Sequence, residues 1–458
     1  MGTAADRSGR VVVDVWMPSY PATPSFLAEV REIARAFERE HPDYRIELVE
    51  CPYLSLPEKV NRAAQRGHRP AIVQYYFTST QVARDMRTDT GEPLFTPVQR
   101  AIGGRTEILG HPVVIDDLLP AARAYYSIGD ELLAIPPFVS TTLLYTNTSL
   151  LSECGVPEVP RTWAELTEAC RKLAGRTGAV DPGVSWPNGG WIFQQAVAQQ
   201  GAVLVAPDNG RTDRAKQVQL DSPAMLAFVH WWRQLYLDGF YYYSGVRAVD
   251  AGAGEAWVRN YQAFAEQRVA FVLSTSVEAE RMVQAGRQGG FEVTASPMPY
   301  NDEVPYAGNV LGGDALWLGN GLDEATRDGA LAFMQYLLTP EHAATRHKTT
   351  RFSPVTRSSI ELLEREGWFD ANPHQRVALD QLDASDDSFA AAGALLGDFA
   401  GLHDVLTQAM DDVLICGADP DQRFAEASLK AQQQLDEYNA DCLGERSAPA
   451  GPRRFAVN

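Results

Sequence analysis

With 458 residues, the chain exceeds what one hydrophobic core ordinarily supports, and two domains are expected. Its 45% hydrophobic and 22% charged residues are the balance of an ordinary globular protein, which excludes fibrous and disordered classes. The formal net charge of −19, from 40 basic against 59 acidic residues, excludes nucleic acid and anionic membrane surfaces, which need clustered positive charge; a buried anion site, needing only one or two local cations, stays open.

No apolar run approaches the roughly 18 residues of a membrane span. Met1 to Asp6 leads almost directly into a strand, with no basic or apolar leader region. Two locations follow: the cell surface or periplasm, with the signal segment absent from this sequence, or the cytoplasm. Cys51, Cys154, Cys170, Cys416 and Cys442 show no CxxC spacing, and their odd number leaves a free thiol, which favours a reducing compartment.

In chain order, Val11 to Trp16 reads as a buried strand, and Ser25 caps a helix whose apolar face is Phe26, Leu27, Val30, Ile33, Ala34 and Phe37. Tyr44 to Val49 is a second strand, Pro57 to Arg66 a helix, and Ala71 to Tyr76 a third strand. This β-α-β-α-β start implies a mostly parallel sheet with ligands at the carboxyl ends of its strands, so Trp16, Tyr53 and Phe77 are candidate site residues. Pro136 and Pro137 cannot donate backbone hydrogen bonds and are expected to break the ladder, with a new strand over Val139 to Tyr145. Thr162 and Glu165 form a capping box for a helix from Trp163 to about Leu173.

Val184 to Trp191 is a Gly-rich loop carrying Trp186 and Trp191, too rich in tryptophan for a plain linker. A helix from Asp221-Ser222-Pro223 to about Gly239 follows, then strands at Val269 to Leu273 and Phe291 to Met298. Asn309 to Leu318 is a strand interrupted by Gly312-Gly313, a pair that marks close backbone approach. Helices occupy Glu324 to Leu338, from Pro340, and most of the chain to about Tyr438; beyond Arg446 the composition is that of a mobile tail.

The proline-marked crossover followed by Pro160-Arg161-Thr162-Trp163-Ala164-Glu165-Leu166 resembles the periplasmic solute-binding proteins of ABC importers, carbohydrate type. Gly312 to Trp317, His347 to Thr356, Gly367 to Pro373, Leu396-Gly397-Asp398 and, at the front, Arg35 to Tyr44 sharpen that resemblance. They look like the subfamily that binds glycerol 3-phosphate and its diesters, over roughly residues 10 to 440.

The resemblance implies an α/β, two-lobed periplasmic-binding-protein-like fold of type II, with the ligand cleft between the lobes. The expected lobes are 9–138 with 297–340 and 139–296 with 341–445, followed by a tail over 446–458. The family's groove maps onto Trp16, Tyr53, Ser140, Trp191, Ser276 and Gly313: aromatic faces for the C–H face of a sugar or polyol, hydroxyls and backbone N–H groups for its oxygens. Three positions depart from the family's pattern. Phe77 stands where it has an acidic residue, Arg351-Phe352 where it has glycine and tyrosine, and His403 where an arginine would hold the phosphate. A glycerophosphodiester loses its fixed cation, unless Arg351 replaces it, and the pocket is expected to be more apolar than in relatives.

The implied function is the substrate-binding component of an ABC importer, a monomer that takes a small sugar, polyol or glycerophosphodiester, with or without an aromatic part, and docks on a membrane permease. No cofactor is implied. No metal spacing appears, His342 and His347 being five apart and on different helix faces, and neither GxxxxGK[ST] nor GxSxG occurs. The alternative is an intracellular binding protein or enzyme on the same scaffold, with Cys51 as nucleophile, although no base can be assigned to it.

Overall fold

The computed structural model describes residues 9–19, 25–52, 55–156, 158–177, 183–246 and 253–444, so Tyr53 and the tail lie outside the described residues. Two sheets organise the chain. The first contains β1 (Val11–Ser19), β2 (Tyr44–Pro52), β3 (Ile72–Tyr76), β4 (Phe95–Thr96), β5 (Ile135–Ser140) and β10 (Gly312–Gly319). The second contains β6 (Thr142–Asn147), β7 (Val184–Ser185), β8 (Phe271–Thr275) and β9 (Val293–Pro297). β1 pairs with β2 and β3 in parallel, as a β-α-β-α-β start dictates, and β10 lies antiparallel to β3.

The chain leaves the first sheet at Ser140 and enters the second at Thr142, so Thr141 alone spans the crossover. Pro136 and Pro137 lie inside β5 instead of ending it. The register with β10 shifts between Asp314 and Leu316, and this irregularity accommodates two residues that have no N–H to donate. β1 runs three residues past Trp16.

Local signals were realised where the caps are. Thr162 Oγ1 accepts from Glu165 N at 3.2 Å and Glu165 Oε2 from Thr162 N at 3.2 Å, starting the helix Trp163–Thr177. Ser222 Oγ accepts from Met225 N and starts Pro223–Leu237.

A second passage joins β9 to β10. Buried amides hold it: Gln195 Nε2 donates to Val310 O at 2.8 Å, Asn309 Nδ2 to Gln195 Oε1 at 2.6 Å, and Gln381 Oε1 accepts from Met298 N at 2.7 Å. The sequence placed a third passage near Pro340, but the helix Pro340–Thr350 packs on the helix Ser25–Glu40 of the first lobe. Its Arg346 reaches Pro137 O at 3.1 Å and lies 3.4 Å from Glu29. Pro340 merely occupies the first turn of that helix. Ser358 still bonds Asp117, whereas Val377–Asp383 packs on β6 and β9, so the passage lies between them.

Candidate functional site

The carboxyl end of β3 delivers Phe77 to the interface of the lobes, where it is 1% exposed. The helix Gly190–Gln199 of the second lobe begins opposite it and presents Trp191; the two ring centroids are 5.0 Å apart. Phe399, first residue of the helix Phe399–Ile415, stands 6.3 Å from Phe77 on the same side as Trp191. The floor is β10 and β5: a Cβ on Gly312 would lie 3.0 Å from the Trp191 ring and 3.1 Å from Ser140 Oγ, so only glycine lets the indole settle there.

His403 closes the second-lobe wall. Its ring packs 5.0 Å from Phe399 and lies where a Cβ on Gly190 would come within 2.2 Å of it. One ring nitrogen shares a hydrogen bond of 2.7 Å with Gln194 Nε2. Burial lowers the imidazole pKa to about 4, so the ring is neutral at physiological pH. The cluster thus combines three aromatic faces, a neutral imidazole paired with an amide, and a hydroxyl at a crossover strand. With the lobes parted such a set can stack on C–H faces and bond hydroxyls; in this structure Phe77 and Phe399 are covered by their neighbours, at 1% and 2% exposure.

Phe77, Ser140, Trp191 and His403 are therefore brought together, and several other candidates are not. Trp16 donates its indole N–H to Asp14 at 3.0 Å and lies beside His68, because β1 continues beyond it and its side chain turns back along the strand. Trp186 is 1% exposed and packed among Trp231, Trp232 and Tyr241, so it is core and not a platform. Ser276 Oγ accepts from Thr141 N, which makes it a brace of the crossover. Gly313, at φ +120°, accommodates the Phe138 carbonyl of β5, which would stand 2.7 Å from a Cβ; the close approach is to a strand.

Arg351 caps its helix at φ +69° and lies over the Trp368 ring at 5.7 Å, so it does not restore the lost cation. Phe352 packs on Phe138 at 4.2 Å, beside the crossover strand. Phe399 and Gln194 were not among the candidates. Gln194 carries a readable signal, being three residues beyond Trp191 on one helix face; Phe399 follows Leu396-Gly397-Asp398, whose Asp398 caps the helix. Cys51 is 3% exposed in the core, and burial raises its thiol pKa, the opposite of an activated nucleophile. Among the described residues, no helix is long and apolar enough to cross a membrane.

Two α/β lobes meeting over a cluster of aromatic and hydroxyl-binding groups define a two-lobed solute-binding protein. The model of the bacterial extracellular solute-binding protein family matches residues 32–377, and the chain belongs to that family. It is 25% identical over 418 residues to the sn-glycerol-3-phosphate-binding periplasmic protein of Yersinia enterocolitica, with 90% of each chain covered. Among solved structures it is similar to the UgpB of Mycobacterium tuberculosis in complex with glycerophosphocholine, at TM-score 0.68 and 20% identity over 93% of this chain and 98% of that one. It also resembles the GacH receptor of Streptomyces glaucescens, solved unliganded and with acarbose, at TM-score 0.69 and 22% identity over 93% and 99%. The sugar-binding protein MalE of Xanthomonas citri gives TM-score 0.74 at 18% identity over 95% and 100%.

Proposed function

We propose that the chain is the monomeric substrate-binding component of an ABC importer and that its ligand is an uncharged sugar, polyol or glycoside with an apolar or aromatic part. The observation that carries this reading is the box of Phe77, Trp191 and Phe399 closed by a neutral His403–Gln194 pair. A phosphodiester in such a box would leave its charge desolvated without a partner. A sugar would stack on Trp191 and give hydroxyls to Gln194, His403 and Ser140. Contact with both lobes favours their closure, and the closed form docks on a membrane permease whose ATPase is a separate chain.

A second reading, a glycerophosphodiester, rests on the names of the relatives. A thermal-shift screen against glycerol 3-phosphate, glycerophosphocholine, oligosaccharides and aromatic glycosides separates the two, because a ligand at 100 times its Kd adds about 2.7 kcal/mol of stability. A shift with sugars or glycosides alone is expected. A shift confined to the phosphate compounds overturns the uncharged-ligand reading, and silence across the panel overturns both.

A further inference from the structure

The first lobe carries a second cluster at the opposite end of its sheet from Phe77, where β2 begins. His41 terminates the helix Ser25–Glu40, its N–H donating to Phe37 O at 2.8 Å. His111 sits in the hairpin formed by Glu107–Ile108 and His111–Pro112. The two side chains converge from 70 positions apart in sequence, and their Nε2 atoms are 2.7 Å from each other. Glu40 joins them: its carboxylate and the two ring nitrogens all lie within 4.8 Å of one another.

Two features make this more than a chance meeting of side chains. Both rings rest on Phe37, at centroid distances of 4.5 and 6.0 Å, and Phe37 is 0% exposed, so their orientation is set by a core residue. Tyr336 donates to Glu40 Oε1 at 2.6 Å and packs on His111 at 5.0 Å, the outer hydrogen bond that typically orients a ligating carboxylate.

As the structure stands, one imidazole donates from Nε2 and the other accepts. A metal between them needs both Nε2 lone pairs, so the donating ring moves its proton to Nδ1. It also needs the two nitrogens to part to about 3.3 Å, the separation set by bonds of about 2.0 Å in a tetrahedral site. A small rotation of half-buried side chains supplies that.

We propose that His41, His111 and Glu40 form a site for a divalent transition-metal ion of the zinc class, with a remaining position open to solvent. Two imidazoles and one carboxylate suit zinc and its neighbours and do not suit calcium or magnesium, which take all-oxygen shells. The site is separate from the cleft and does not depend on which ligand the cleft takes.

The test is titration of the tag-free, chelator-treated full chain with Zn2+ by calorimetry and with Co2+ by visible absorption, which is intense for a four-coordinate ion. One equivalent of each metal is expected, with affinity falling at least tenfold in His41→Gln and in His111→Gln, and less in Glu40→Gln. His111→Gln lies on a separate hairpin and leaves the helix end intact, so it keeps the test valid if His41→Gln disturbs that end. Absence of stoichiometric binding, or binding that survives both histidine substitutions, overturns the proposal.

Discussion

At the proposed cleft, burial holds the His403 imidazole neutral, its pKa lowered to about 4. His347 shows the same effect without a ligand role: it is 1% exposed, donates from Nδ1 to Phe352 O at 2.9 Å, and has its pKa lowered to about 4 by burial. In the unfolded chain both rings return to about 6.5. Between pH 4 and 6.5 the unfolded state therefore binds more protons, so stability is fully present above about 6.5 and is lost as pH falls toward 4. For His347 the loss is on the order of 3 kcal/mol. Denaturant unfolding at pH 4.5, 5.5 and 6.5 should show this slope, and His347→Gln should flatten it by about one proton; an unchanged slope contradicts the assignment. Trp191→Ala, in turn, should weaken ligand binding at least tenfold, about 1.4 kcal/mol, by isothermal titration. The place of Trp191 where the lobes meet was legible because a tryptophan beside two glycines in a loop is only partly covered by its own segment. Trp186, five residues earlier in the same loop, was not separable from it, since burial depends on Trp231 and Trp232, which arrive from a distant helix.

Elements were readable wherever a short-range rule applies and misread wherever a partner decides. The Thr162–Glu165 box and the Ser222 cap are contained within a few residues, and both formed. The fate of Pro136 and Pro137 depended on a bulge against β10, a strand about 180 residues later, which no local pattern reveals. Gly313 belongs to the same pairing. At φ +120° with the Phe138 carbonyl 2.7 Å from any Cβ, Gly313→Ala combines backbone strain with a clash, and should cost about 1–3 kcal/mol by chemical denaturation. The helix Pro340–Thr350 offers the larger test. Arg346 is 2% exposed, serves Pro137 O and Leu337 O, and faces Glu29, whose carboxyl pKa is raised by burial despite the arginine. Arg346→Met removes the one cation found beside that buried acid among the described residues and takes a donor from two carbonyls, so a loss of about 3–5 kcal/mol is expected. A loss below 1 kcal/mol would mean that Glu29 is simply protonated.

At the scale of the whole molecule the two lobes are held together at more than the aromatic box. Arg214 and Tyr438 of the second lobe both grip Asp85, which ends a helix just after β3: Arg214 makes two bonds of 2.8 and 2.9 Å and Tyr438 one of 3.0 Å. The ion pair is largely buried, with side chains 20% and 9% exposed. Arg211, nearby, donates to Ala124 O and Tyr125 O of the first lobe and to Gly393 O. A latch that holds the closed form equally well with and without ligand cannot change affinity while the closed form predominates, because it stabilises both sides of the binding equilibrium alike. It does govern rates, since ligand must enter and leave through an opened cleft. Asp85→Asn keeps the shape but leaves the Arg214 cation without its counter-charge. The expected result is an increase in both association and dissociation rates of at least tenfold, with Kd shifted far less, read by stopped-flow intrinsic tryptophan fluorescence. The ligand-free protein should also expand in small-angle scattering. Unchanged rates and dimensions would show that the Asp85 contact follows closure without holding it, leaving that role to Phe77 against Trp191 and to the Arg211 bonds.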